Sequence, residues 1–562
     1  MPQSTQDLHL VSDFNLANFA NVLKSKVGVG WNVKLGPLDQ VVPFLSAAEA
    51  DPNGHVWVWT RPERISPSFH AAINYREPES DKVLLEVDRF ADLLMAAAER
   101  WHKLYVPLWQ IPASESYGAG ELNFASGVHA LLLRMNARLC ERVAKVPNIL
   151  VMHSDRWVQQ AGPKAWSKRL WYLTKTPFPN EVFQAATDDL LSIRKLAQGQ
   201  GIKLIVLDLD DTLWGGVVGD DGWENLRLGG HDPTGESFVD FQRSLKGLKE
   251  RGIMLAIASK NEEATAMEAM DKHPEMILRQ SDFVAMRIDW NDKAGNIREM
   301  VKQLNIGERS VMFIDDNPVE RSRVRAFLPD VIVPEWPTNK LLYDQELRRL
   351  NVFDLGSVSS EDARRTVLYK EEADRERSKA GTDSVEAWLR SLEMKITVQP
   401  VSESDFTRVH QLFLKTNQFN LTTRRLIEKE LHDWMAHADH ELWSFRVSDQ
   451  FGDAGLTGVL GLDLSPGPVA LITDLILSCR VMGRRVEETL LHVAYKLALN
   501  RGKDVLKAIL MPTERNKPCL DFLLRSGMHT SDDGHTFTWP MKHPFPCPDS
   551  LDLIMPAPTT GV

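Results

Sequence analysis

Cysteine is nearly absent: the 562 residues hold four, Cys140, Cys479, Cys519 and Cys547. They are too scattered for metal-ligand spacing or a disulfide framework, and each reads by default as a small buried residue in a reducing compartment. No stretch approaches the roughly eighteen apolar residues that span a bilayer. The opening MPQSTQDLHLVSDFN has neither a basic start nor an apolar h-region. A cytoplasmic location with no membrane partner is therefore expected. Basic residues are in deficit, 66 against 77 acidic, and the formal charge of −11 has the wrong sign for a chain whose main partner is nucleic acid. Internal repeats are missing too. What is present, 43% hydrophobic and 25% charged residues, is the composition of a globular protein. The length suffices for about three or four domains.

The chain reads as a multidomain α/β protein. In residues 1–198, HVWVWT, KLYVPLW and NILVMH have the pattern of strands, and DRFADLLMAAAERW and GVHALLLRMNARLCERVAKV that of amphipathic helices. A helical pattern, NEVFQAATDDLLSIRKLAQGQG, leads into residues 199–350. There FVDFQRSLKGLKERG, IMLAIAS, AGNIREMVKQLN and SVMFID alternate helix and strand, which implies a parallel sheet. Residues 351–392 are dense in both signs of charge and read as a solvated helical connector. A third folded unit of α+β type is expected over 393–545, and the Pro-rich tail, 546–562, as an extended strap or a loose end.

The acid-rich stretch LIVLDLDDTLWGGVVGDDG, residues 204–222, sits just past an apolar run. If that run is a buried strand, Asp208 stands at its carboxyl end, where open α/β sheets place their chemistry, and Asp210 follows two residues on. Taken alone, the stretch reads equally as a solvated Asp-rich turn. Three later signals decide between the two: Ser259 and Asn261 after a strand in LAIASKN, Lys293 at a helix start in WNDKAGNI, and Asp315 with Asp316 at a strand end in VMFIDDNP. Each has an ordinary structural reading; all of them, in order, make a phosphoryl-transfer site. A carboxylate nucleophile needs a metal to relieve its repulsion from a phosphate dianion. Asp208, Asp210, Asp315 and Asp316 offer the hard oxygens that Mg²⁺ prefers. Asp210 suits general acid–base work, and Thr212, Ser259, Asn261 and Lys293 suit phosphate binding. The short intervals on either side of Ser259 leave no room for a large cap domain, so the site is expected to be open.

The order D-x-D-x-T, Ser, Lys, D-D resembles the haloacid dehalogenase (HAD) superfamily, which implies a Rossmann-like sheet and an aspartyl-phosphate on Asp208. In the third unit, ALITDLILSCRVMGRRVEETLL resembles the GNAT acyltransferase turn, whose amides hold coenzyme A pyrophosphate at a helix start. Here Arg485 replaces the final small residue of that turn. With SKN, FIDDNPVER, LKTNQFNLTTRR and SCRVMGR, the whole is similar to the FkbH-like proteins, which join a HAD unit to a GNAT-like one in polyketide assembly. That resemblance implies D-1,3-bisphosphoglycerate as substrate and an acyl carrier protein as partner, loaded with a glyceryl thioester that leads to methoxymalonyl-type units. Lys415, Asn417, Asn420, Arg480, Arg484 and Arg485 are the candidates for contacting the carrier or its acyl group. Several relatives place a Cys directly before the motif Ser, where this chain has Ala258. Cys479 and Cys519 are the substitute thiols, unless the carrier's own thiol attacks directly. Cys519 falls at a helix start, where a thiolate is favoured; a buried helix Cys is the plainer reading. Three alternatives stay open: a phosphatase for another phosphorylated metabolite, an acyltransferase using an acyl-CoA or acyl-carrier donor, and a non-catalytic assembly-line scaffold. The first domain puts Ser12 after a strand, as SGNH hydrolases do, but it has no G-D-S and no D-x-x-H. A docking or structural role is expected for it.

Overall fold

The computed structural model describes residues 6–26, 30–48, 51–197, 201–230, 232–304, 306–353, 367–368, 371, 375, 378–379, 384–426 and 428–556. The chain forms two compact units, Met1–Ile193 and Arg194–Val562. Most of the charged connector expected over 351–392 lies outside the described residues; within it, Val385–Ser391 is a helix capped by the Ser384 side chain.

The first unit carries five parallel strands, β1 (Gln6–Ser12), β2 (Trp31–Leu35), β3 (Asp51–Trp59), β4 (Trp101–Pro107) and β5 (Ile149–Met152), ordered β2-β1-β3-β4-β5. Strands buried on both faces need apolar residues at successive positions, and His55 to Trp59 are all buried. One face packs on helices Ser80–Ala98 and Val128–Val143; the other, rich in Trp and Phe, packs on Asn180–Ala197.

The second unit begins with β6 (Leu204–Leu207), β7 (Met254–Ser259), β8 (Phe283–Ile288) and β9 (Val311–Ile314), a parallel sheet ordered β8-β7-β6-β9. β6 is central, and Leu204, Ile205, Val206 and Leu207 are fully buried. Helices Pro233–Glu250, Glu263–Lys272 and Lys293–Gln303 make the crossovers. Among the described residues, the β6–β7 and β7–β8 connections hold only these helices and single turns, so no cap-sized insert is present.

The same unit ends in a mixed sheet. Its strands are β10 (Met394–Pro400), β11 (Phe419–Asn420), β12 (His440–Asp449), β13 (Gly452–Asp463), β14 (Val469–Leu477), β15 (Val505–Ile509), β16 (His529–Thr530), β17 (Thr536–Pro540) and β18 (Leu551–Ile554). The order is β16-β17-β15-β14-β13-β12-β10-β18, with β11 on β14. β14 and β15 run parallel from Val469↔Val505 to Ile472↔Ala508; farther along β14, β11 pairs at Ile476 and Leu477. The Pro-rich tail supplies β18, parallel to β10, and so is a strap. Among the described residues no helix is long and apolar enough to cross a membrane.

Candidate active site

The acidic centre follows from strand register. Leu207 is paired with Ile314 across β6 and β9, and the Asp208 amide donates to the Ile314 carbonyl at 3.1 Å. Asp208 and Asp315 therefore leave neighbouring parallel strands side by side. Asp292 caps helix Lys293–Gln303 by accepting from the Gly295 amide at 3.1 Å, which sets Lys293 in the first turn. Asn317 caps Pro318–Phe327 and fixes the chain just past Asp316.

The Lys293 ammonium sits 2.6 Å from Asp315 Oδ2 and 2.9 Å from Asp208 Oδ2, with all three side chains nearly out of solvent. Burial works against the Lys293 charge, but Asp208 and Asp315 outweigh it and raise its pKa. Burial, with Asp208 nearby, pushes the Asp315 carboxyl up to about 6. Carboxylate oxygens of Asp208, Asp315 and Asp316 lie within 4.8 Å of one another. Asp208 Oδ1 is buried without a hydrogen-bond partner, an orphan acceptor that is costly unless something binds it.

Asp210 is not among the three convergent carboxylates: its Oδ1 accepts from Trp214 Nε1 at 2.9 Å and the Val218 amide at 3.0 Å, and its Oδ2 from Asn261 Nδ2 at 2.7 Å. Burial nevertheless raises its pKa. Asn261 thus holds the Asp210 carboxyl. Thr212 Oγ1 accepts from the Asp316 amide at 3.1 Å, tying the two acidic loops together. Lys293 spans two carboxylates. Ser259 closes β7, buried, one strand away from Asp208.

Three residues for which the sequence reading had no role complete the centre. Arg321 Nη1 donates to the carbonyls of Asp315 at 2.8 Å and Asp316 at 2.7 Å. Lys340 Nζ meets the Asp211 carbonyl at 3.0 Å and Oδ1 at 2.9 Å, and the Tyr343 hydroxyl donates to the same carbonyl at 3.3 Å. They clamp Asp211 in the left-handed region, φ +53°, a strained conformation for a residue with a Cβ. Arg321 stands in the quoted FIDDNPVER; nothing in the sequence links Lys340 to a loop some 130 residues earlier.

The candidate carrier contacts are mostly turned inward. Arg484 is buried, donating to the Arg480 carbonyl and facing Asp449 at 3.7 Å, so it is not a surface charge. Arg485, at φ +66°, pairs with Glu488 at 2.9 Å, and Arg480 Nε reaches Ser478 Oγ at 3.4 Å. The Gly483 amide donates to Glu487 Oε1 at 2.6 Å, so the turn satisfies itself. Asn420 is fully buried, accepting from the Thr423 amide at 2.8 Å; Asn417 accepts from Arg425; Lys415 ends helix Glu403–Lys415, half-buried. Cys519 lies at a helix start as expected, but burial pushes its thiol up to about 12, so it is no thiolate; Cys479 is half-buried. In the first unit Ser12 is buried, its Oγ accepts from the Phe14 amide at 3.1 Å, and no histidine is hydrogen-bonded to it among the described residues.

No protein-family profile matches the chain, and no curated protein does. Among solved structures it is similar to the N-terminal part of a Bacteroides fragilis protein containing a phosphatase domain, complexed with Mg. That likeness has 27% identity and a TM-score of 0.58, and it covers 63% of this chain and 95% of the other. It is also similar to the ribosomal-protein-S18-alanine N-acetyltransferase of Escherichia coli, at 9% identity over 26% of this chain and 94% of that one. With a TM-score of 0.21, this second overlap is too low to define a fold.

Proposed function

We propose that the chain is a Mg²⁺-dependent HAD-type phosphoryl-transfer enzyme centred on Asp208. The convergence of Asp208, Asp315 and Asp316 around an orphaned Asp208 oxygen carries this reading. The residues fit the ion: the donors are hard carboxylate oxygens, close together, in a set whose negative charge Lys293 offsets only in part. Mg²⁺ bound there would relieve the repulsion between the carboxylates and an incoming phosphoryl group. The similar Bacteroides structure, a phosphatase domain with Mg, supports the same assignment.

In this reading Asp208 attacks phosphorus and the bond to the leaving oxygen breaks. Asp210, protonated with the help of its burial, gives that oxygen its proton, and then takes one from the water that cleaves the aspartyl-phosphate. Trp214, Val218 and Asn261 hold the Asp210 carboxyl throughout.

The finer proposal concerns the substrate: D-1,3-bisphosphoglycerate, with an acyl carrier protein as acceptor. The carrier thiol attacks the acyl-phosphate carbon, forming the C–S bond and releasing one phosphate. The remaining phosphate is hydrolysed at Asp208, leaving a glyceryl thioester. The cap-free surroundings of the site and the absence of a cysteine at Ala258 support direct attack by a bulky partner. Incubation with bisphosphoglycerate, Mg²⁺ and phosphopantetheinylated carrier should add the mass of one glyceryl group to the carrier, while apo-carrier gains nothing. Asp208→Asn should abolish hydrolysis of the second phosphate, leaving a phosphoglyceryl group on the carrier, and Asp210→Asn should slow that hydrolysis by about 10²–10⁴-fold. Release of phosphate without carrier loading would leave the plain phosphatase reading. Normal hydrolysis of that second phosphate by both variants would remove the assignment altogether.

A further inference from the structure

The first unit leaves large apolar side chains in solvent on two neighbouring segments. Helix Lys168–Thr174 follows β5, and Arg169, Tyr172 and Leu173 are exposed on it at the i, i+3, i+4 spacing that puts side chains on one stripe. Tyr172 is 71% and Leu173 70% exposed. The helix is anchored all the same: Asn15 Nδ2 donates to the Thr174 carbonyl at 3.1 Å, the Asn15 amide to the Lys175 carbonyl at 2.9 Å, and Trp171 packs on the core with the Arg61 guanidinium 4.1 Å over its ring. An anchored element that turns its tryptophan in and its tyrosine and leucine out presents a fixed knob. The second segment is the loop after β4. There Tyr117 and Phe124 are apolar walls of an open cavity of about 310 Å³, and Tyr75 stacks on Tyr117 with ring centroids 5.4 Å apart. Phe124 is 65% exposed. The two segments adjoin, because Lys168 Nζ lies 3.3 Å from Glu115 Oε1. Their charges are opposite. From Arg156 to Asn180 every Lys, Arg, Asp or Glu is basic, and from Ile111 to Val128 every one is acidic. Ser80 Oγ donates to the Ala125 carbonyl at 3.3 Å, which brings the exposed Glu79 and Asp81 to the cavity side as well. Tyrosine and arginine around an apolar centre are the residues that anchor protein interfaces.

We propose that this face binds a second copy of the chain across a two-fold axis, Tyr172 and Leu173 of each copy docking against Tyr117 and Phe124 of the other. A knob and a cavity that adjoin on one surface are both covered when two copies meet face to face, and the basic helix of each then lies on the acidic loop of the other. The proposal does not depend on the chemistry assigned to Asp208.

Sedimentation velocity of the full chain at micromolar concentration tests it, with a dimer expected whose association weakens as salt is raised. The double variant Tyr172→Ser, Leu173→Ser removes the knob, and Phe124→Ser removes a wall of the cavity. All three side chains are exposed, so both variants should keep the wild-type circular dichroism spectrum. Each alone should associate about tenfold or more weakly than wild type. Mixed in equal amounts, they should dimerise more tightly than either alone, because the knob of one still meets the intact cavity of the other. A monomeric wild type would overturn the dimer, whatever else binds the face. Wild-type association by either variant would place the interface elsewhere, and a mixture no tighter than its components would overturn the pairing of knob with cavity.

Discussion

A carboxyl group whose burial outweighs the charges around it records the cost of its own charge. Glu487 is 6% exposed; Oε1 accepts from Gly483 and Oε2 has no partner, and burial raises its pKa to about 7. The folded pKa is above the unfolded one, so the stability contributed by the protonated form is fully present below the unfolded value of 4.5 and is lost as pH rises through 7. Glu487→Gln, which keeps an acceptor for Gly483, should therefore be more stable than wild type at pH 8, by roughly 2–3 kcal/mol. The difference should vanish near pH 4.5 in denaturant titrations. This group was not legible in the sequence, and the reason applies to the whole site. Spacing shows which acids share a strand end, so Asp208 and Asp315 could be read from it. It does not show which neighbour spends which hydrogen bond, so Asn261 on Asp210 and Thr212 on Asp316 were out of reach. Arg484 was unreadable for a different reason: its burial depends on Asp449, which the fold brings in from another strand end.

Elements with a strong period were legible. LIVL, MLAIAS and VMFI are short apolar runs between helical patterns, and they are the strands that carry the site. The elements that were missed are short or masked by composition. β11 is two residues long, and its strand character comes only from β14. β18 hides in a Pro-rich tail whose local composition argues against any sheet, yet Leu553 pairs with Ile396 and packs on the core. Tertiary pairing overrides propensity there. Leu553→Asp should lower stability by about 1–2 kcal/mol, the cost of placing a charge in a half-buried apolar position. A denaturation midpoint equal to wild type would mean that the strap contributes nothing to stability.

At the scale of the whole chain, the division into two units falls inside helix Asn180–Ala197, but the packing assigns that helix to the first unit. Val182, Phe183 and Leu190 enter the cluster that holds Phe14, Phe19 and Trp59, and Asp189 accepts from Trp157 Nε1 at 2.7 Å. A chain of residues 1–197 should unfold cooperatively with an ordered tryptophan signal in near-UV circular dichroism. One ending at 179 should lose that signal, because burying each of those three side chains is worth about 1.5–3 kcal/mol.

The pairing of Leu207 with Ile314 also sets an order in time. The strands that bring Asp208 and Asp315 together are separated by more than a hundred residues, and closing so long a loop is entropically costly and slow. A growing chain that has passed Asp208 but not Ile314 holds one half of the acidic centre and no reactive site. On the proposed function, phosphoryl chemistry therefore waits for the completed β6–β9 pair.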